Sequence, residues 1–213
     1  MSLGSPGSQS EPIQPLTDPI SLYGPTLEFE VLRGDDQIGH HKITFQKERN
    51  GFQVVAMTEM SVKVLFATVF RLEHRSEALW IDGSLREMKA TTTVNGKETN
   101  FEVQRDGDNF RIENEEEVLL SEGPLFPSTH WNMSILSSTR ILDTLTGQVG
   151  DVDVVDLGEV DVETVRGTIL ARHFIYSGDL DAEVWYDEDG RWIRYKLSGG
   201  GGTVEYRCLI CGP

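Results

Sequence analysis

The stretch Glu87-Met88-Lys89-Ala90-Thr91-Thr92-Thr93-Val94-Asn95-Gly96 decides the fold class. Met88, Ala90, Thr92 and Val94 alternate with Glu87, Lys89, Thr91 and Thr93. A period of two puts one set of side chains on a core and the other in water. Asn95-Gly96 then ends the strand with two residues that tolerate positive φ, the chemistry of a tight hairpin. The same pattern recurs in both directions. Leu27, Phe29 and Val31 alternate with Glu28 and Glu30, and Ile43 and Phe45 with Lys42, Thr44 and Gln46. Ile193, Tyr195 and Leu197 alternate with Trp192, Arg194 and Lys196, and Val204, Tyr206 and Cys208 with Glu205 and Arg207. Asn50-Gly51, Asp82-Gly83, Asp106-Gly107 and Asp189-Gly190 supply further turns. The pattern predicts an all-β fold of roughly ten to twelve strands in one large curved antiparallel sheet, a half-barrel or open barrel meander.

Prolines divide the chain. Pro6, Pro12, Pro15, Pro19 and Pro25 crowd the first 25 residues, whereas 26–123 and 128–212 contain none. Proline removes a ladder donor, so the proline-free stretches suit central strands. Residues 1–25 read as a flexible leader that opens with a cloning remnant, Met1 to Ser5. Residues 26–213 read as a single β domain. Within the written sequence there is no charged n-region followed by an apolar core, hence no signal peptide. One segment breaks the strand rhythm. Across 124–145, Ser128 or Thr129 can cap a helix after Pro127, and Trp131, Ile135, Leu136, Ile141, Leu142 and Leu145 form an interrupted helical stripe. One or two short helices packed on the concave face are expected there. The apolar run Val64–Val69 suits a buried strand or a short helix equally well.

The 213 residues carry 19 Lys and Arg against 35 Asp and Glu, a formal net charge of −16. With 38% hydrophobic and 25% charged residues the composition is that of a folded domain. The acidic balance argues against nucleic acid and anionic membrane surfaces as partners, since both require basic patches. No apolar run approaches the ~20 residues of a membrane-spanning helix. The acids concentrate at 113–117 and 151–163, six of them within the latter thirteen positions. Because they interleave with valines and lack EF-hand spacing, they read as the wet face of a strand rather than a cation site.

Gly39-His40, Val62-Lys63-Val64-Leu65-Phe66, Phe70-Arg71-Leu72-Glu73-His74, Pro127-Ser128-Thr129-His130-Trp131-Asn132, Gly178-Asp179-Leu180, Trp185-Tyr186-Asp187 and Gly190-Arg191-Trp192 together resemble an uncharacterised family of bacterial exported proteins, a domain of unknown function. The family is similar in turn to antiparallel half-barrels of the lipoprotein-carrier kind, whose curved sheet wraps helices around an apolar cavity. The resemblance implies a curved sheet and a periplasmic or extracellular location, and no particular chemistry.

Ser128, His130, Trp131 and Asn132 are the leading ligand-binding candidates: a hydroxyl, an imidazole, an indole and an amide at an expected helix start. The competing reading has Trp131 anchoring that helix to the sheet while His130 bonds locally. His74, Trp185 and Tyr195 join them as candidates. His74 lies opposite Arg71, Glu73 and Arg75 on its strand, as a core histidine would. No G-x-S-x-G, H-x-x-x-H or H-E-x-x-H is present, and adjacent His40 and His41 diverge on a strand. Neither a catalytic residue, a metal nor a cofactor is assigned. Cys208 and Cys211 form a C-x-x-C with no helix to follow it, unlike a thioredoxin site. Whether the two are bonded is open at this stage, and Gly199–Gly202 lacks the Lys-Ser/Thr of a phosphate loop. The reading that follows is a non-enzymatic exported protein whose concave face holds a lipid or other apolar or amphipathic small molecule, or a protein partner. The alternative is a hydrolase or isomerase centred on His130.

Overall fold

The computed structural model of the protein describes residues 18–64, 67–199 and 202–212. A short helix, α1 (Pro19–Tyr23), leads into eight strands: β1 (Thr26–Arg33), β2 (Asp36–Glu48), β3 (Gly51–Val64), β4 (Ala67–Ile81), β5 (Ser84–Val94), β6 (Lys97–Asp106), β7 (Asn109–Asn114) and β8 (Val118–Glu122). A two-residue strand β9 (Phe126–Pro127), a 3-10 helix (Met133–Ser137) and β10 (Arg140–Leu142) follow. The chain ends with β11 (Val149–Thr164), β12 (Gly167–Gly178), β13 (Ala182–Asp187), β14 (Trp192–Gly199) and β15 (Gly202–Ile210).

Among the described residues, fifteen strands form one sheet in the order β8-β7-β6-β5-β4-β3-β2-β1-β15-β14-β13-β12-β11-β10-β9. Each half is an antiparallel meander apart from the parallel edge pair β9–β10, and the halves join where β1 pairs antiparallel with β15, Val31 opposite Tyr206. The two edges, β8 and β9, are consecutive in the chain and linked by Gly123-Pro124-Leu125 alone. That link spans at most about 14 Å. A flat sheet of fifteen strands would hold its edges roughly 67 Å apart at the usual ~4.8 Å spacing. The sheet therefore rolls up until its edges nearly meet, barrel-like but with a seam that the ladder does not close.

The turns follow the sequence. Asp82 and Gly83 have φ of 50° and 74°, and Asn95 and Gly96 have 52° and 86°. Two consecutive positive values make the mirror-image turns whose twist matches the strands. The inner face carries the expected alternation: Leu27, Phe29, Ile43, Phe45, Met88 and Ala90 are buried in one core. The outer face carries exposed ion pairs such as Arg75–Glu77 and Lys89–Glu102. The carboxylates of β11 are likewise exposed. At the β3–β4 hairpin both flanking segments are strand; Leu65 and Phe66 lie outside the described residues.

Three expectations change. The segment 124–145 is mostly not helical: Phe126-Pro127 pairs parallel with Ile141-Leu142 instead. His130 takes a left-handed φ of 54°, which breaks any helix started at Ser128 or Thr129. The cap is Asn132, whose side chain accepts the Ser134 N–H at 3.1 Å and starts the 3-10 turn. In the second change, the part of the leader from Asp18 onward is ordered. The Asp18 carboxylate accepts the N–H groups of Ile20 and Ser21, with Pro19 at the first helical position. Residues 1–17 lie outside the described residues.

The third change concerns strand faces. Pairing slips between Trp185 and Tyr186, so Tyr186 faces Trp192 while Trp185 faces Arg194. This bulge turns Trp192 and Tyr195 both inward and Ile193 outward, because a one-residue slip exchanges the faces. Ile193 packs with Val162, Ala171 and Trp185 in a second, outer cluster under the β11–β12 hairpin. The question left open for the two cysteines is answered: Cys208 and Cys211 are disulfide-bonded. Cys211 lies past the end of β15, where the chain is free to turn back.

The segment around the 3-10 helix fills the rolled sheet. The Trp131 ring packs edge-on against Phe45 (5.4 Å) and Trp80 (5.1 Å), from β2 and β4. The Tyr186 hydroxyl donates to the His130 carbonyl at 2.8 Å. The buried Tyr23 hydroxyl donates to the Trp131 carbonyl at 2.7 Å and accepts the Trp192 N–H at 2.9 Å. One phenol thus ties the leader helix, the interior segment and β14 together. Tyr23→Phe would leave two buried backbone groups unpaired, and a loss of about 2–4 kcal/mol is expected. Urea unfolding with an unchanged m-value checks it.

Candidate functional site

Period two places polar as well as apolar residues on the inner face. His41 has the parity of Ile43 and Phe45, Thr58 that of Val54 and Ala56, His74 that of Ala78 and Trp80, and Thr92 that of Met88 and Ala90. Strand register then brings four of these into line. His41 pairs with Thr58, Thr58 with His74, and His74 with Thr92. The result is a row of alternating imidazole and hydroxyl groups across β2, β3, β4 and β5. The Nδ1 of His41 hydrogen-bonds the Thr58 hydroxyl at 2.7 Å, and the Nδ1 of His74 that of Thr92 at 2.9 Å. Each Nε2 is buried and has no partner.

The interior segment brings His130 opposite this row. His130 is 2% exposed and packs against Tyr195, Tyr176 and Trp192, with ring centroids at 4.5, 5.5 and 5.6 Å. Both of its ring nitrogens are buried without a partner. A left-handed, non-glycine residue costs of order 1 kcal/mol or more, and such strain concentrates at functional positions. His130 combines strain, burial and two unsatisfied nitrogens in one side chain.

These groups line a single cavity of about 250 Å³. His41, Thr58 and His74 come from the N-terminal half of the sheet, Trp192, Tyr195 and Tyr206 from the C-terminal half, and Ser128, Thr129 and His130 from the interior segment. Asp143 and the exposed Asp179 stand at its rim beside Leu180 and Leu197. Burial lowers the pKa of all three histidines. His41 falls to about 3, with His74 adding a smaller push. His74 falls to about 4, although the Asp143 carboxylate opposes the effect. His130 falls to about 3, helped by His41. All three imidazoles are therefore neutral at pH 7. Among the described residues no group of three His, Cys, Asp or Glu is arranged to hold a metal ion.

Of the candidates read from sequence, Ser128, His130, His74 and Tyr195 line the cavity. Three others do not. Trp131 is packed solid against Phe45 and Trp80, Asn132 is committed to capping, and Trp185 faces outward. Trp185 stacks on His173 at 4.2 Å under Arg194 and Lys196, because along β13 it alternates with the inward Ala182, Val184 and Tyr186. His41, Thr58, Asp143, Trp192 and Tyr206 were not singled out. His41 was legible from its parity with Ile43, whereas Thr58 and Asp143 carry no sequence signal. Ser128 makes no pair with His130: its hydroxyl lies 3.3 Å from the Thr144 hydroxyl and accepts the Thr144 N–H at 3.2 Å. A serine–histidine nucleophile is thus not assembled. A larger outer cleft of about 500 Å³ lies under the β11–β12 hairpin. Its Arg194 and Arg207 are already paired with Glu205 at 2.7 and 2.6 Å.

The neutral histidines make stability pH-dependent. Each has a folded-state pKa below its ordinary 6.5, so between these values the unfolded chain binds protons that the folded one refuses. Stability is therefore complete above pH 6.5 and declines as pH falls towards 3–4. The expected loss is about 2 kcal/mol per histidine at pH 5. Urea unfolding at pH 7 and pH 5 measures it. His130→Asn, which tolerates the left-handed backbone, is expected to remove about a third of the slope.

Residues 29–209 match the model of a family described as a domain of unknown function, DUF6134. The structure is also similar to that of a beta-barrel-like protein of domain of unknown function DUF1849 from Brucella abortus, with a TM-score of 0.64. The two chains are 9% identical, and the match covers 86% of this chain and 94% of that one, so the likeness concerns the fold alone. No curated protein matches the sequence. Since the family match runs from Phe29 in β1 to Leu209 in β15, through every strand that lines the cavity, the chain belongs to the DUF6134 family.

Proposed function

We propose that the protein binds a small amphipathic molecule inside its rolled sheet. The observation that carries this reading is His130, strained, buried and unpartnered at both ring nitrogens. An unsatisfied buried polar group costs about 1–3 kcal/mol, and the opposed Nε2 atoms of His41 and His74 add to the debt. A bound molecule that hydrogen-bonds these nitrogens recovers that cost. Apolar walls with a few convergent polar groups are the usual make-up of small-molecule sites.

Size narrows the occupant. A volume of about 250 Å³ lies just under the roughly 300–1,000 Å³ of drug-sized pockets. At roughly 30 Å³ per water-sized group it takes a body of about eight non-hydrogen atoms. A long acyl chain exceeds it, so the lipid-carrier analogy is narrowed to a small ligand. Export to an oxidising compartment belongs to the same reading, supported by the Cys208–Cys211 disulfide.

Native mass spectrometry of the purified protein tests the proposal. A small adduct that survives native conditions and is released on denaturation is expected. Ala56, 1% exposed on the cavity wall, is the site to fill: Ala56→Leu should keep the circular dichroism spectrum and lose the adduct. A wild-type protein that retains no small molecule from its host or from a fragment mixture overturns the reading.

A further inference from the structure

We infer that the occupant of the cavity is a small organic cation, a protonated amine on an apolar or aromatic body. This rests on the reading that the cavity binds a small molecule, and it assigns the ligand's charge and shape.

Charge comes first. Among the described residues neither Lys nor Arg lines the cavity, while two carboxylates do. Asp143 is half-buried and lies close enough to influence His74 and Tyr195 electrostatically. Asp179 is exposed at the rim, its Oδ2 accepting the Asp151 N–H at 2.9 Å. The chain leaves room for this carboxylate: a Cβ on Gly150 would lie 2.7 Å from the Asp179 Cβ. An anion entering here would shed its water beside two negative charges with no cation to meet it, a heavy desolvation cost. A cation meets two carboxylates instead, and the net charge of −16 raises its concentration near the mouth.

The walls point the same way. The rings of Trp192, Tyr195 and Tyr206 stand within 5.6–6.3 Å of one another and share the wall with His41 and His130. Such π faces attract an ammonium group when it is shielded from water. The imidazoles complete the receptor. When His41 and His74 donate from Nδ1 to their threonines, each Nε2 presents a lone pair to the cavity. In that tautomer an ammonium N–H is the donor those lone pairs lack, and the one unprotonated nitrogen of the neutral His130 ring is a further acceptor. Three different features thus converge on one ligand chemistry: rim carboxylates, an aromatic wall and unpartnered neutral imidazoles.

Isothermal titration calorimetry of the full chain at pH 7.5 with three probes of near-equal shape decides the matter. The probes are 2-phenylethylammonium, 2-phenylethanol and phenylacetate. The ammonium is expected to bind at least tenfold more tightly than the alcohol, and phenylacetate not measurably. Asp179→Asn, which keeps an acceptor for the Asp151 N–H, should narrow the ammonium's advantage over the alcohol severalfold. Alcohol binding equal to that of the ammonium overturns the cation assignment while leaving a small-molecule site in place. Tighter binding of phenylacetate overturns it as well. Binding by none of the three also overturns it, and the adduct measurement on the wild-type protein then decides the broader reading independently.

Discussion

Three residues, Gly123-Pro124-Leu125, govern the shape of this molecule. They connect the two outermost strands of a fifteen-stranded sheet, so a ribbon that would extend about 67 Å when flat must return on itself within about 14 Å. Closure is enforced by the covalent chain rather than by a hydrogen-bonded ladder between β8 and β9. Rolling the sheet creates an inside, and the segment that follows the link has nowhere else to go. It carries His130 and Trp131 into the interior, where strands from both halves hold them.

That interior is built of two unlike regions. Around Trp131 it is dry and close-packed, with Phe45, Trp80, Ile135 and Leu136 filling the space. Around His130 it is polar and cavitated, with nitrogens that meet no partner. The packed region and the cavity thereby occupy adjacent volumes. The Tyr23 hydroxyl, bonded to both the interior segment and β14, sits where the two regions meet. Close packing on one side is what lets the backbone of His130 be held in a left-handed conformation on the other, because strain persists only where the surroundings over-determine it.

The charge distribution has the same inside–outside logic. Ion pairs and the acidic run of β11 face outward, and exposed pairs of this kind contribute little to stability. Among the described residues no helix is long and apolar enough to cross a membrane. Among the described residues, Asp143 and Asp179 are the carboxylate side chains that line the cavity.

Strand period, hairpin turns and the division into a wet and a dry face were legible in the sequence, because each depends on neighbours one to four residues away. The same local period made His74 an inward residue and would have done the same for His41. Nothing local states that Thr58 lies between those two histidines, or that a slip beside Trp185 turns Trp192 inward and Ile193 outward. Register is a relation between strands distant in sequence, and one residue of slip exchanges the two faces. The segment 124–145 misleads for a related reason: its apolar spacing suits a helix, but the rolled sheet imposes a left-handed turn at His130 and pairs Phe126-Pro127 with Ile141-Leu142. The sequence by itself determined an all-β chain with an acidic coat. Only closure of the sheet, a property of all fifteen strands at once, decided which side chains share a cavity.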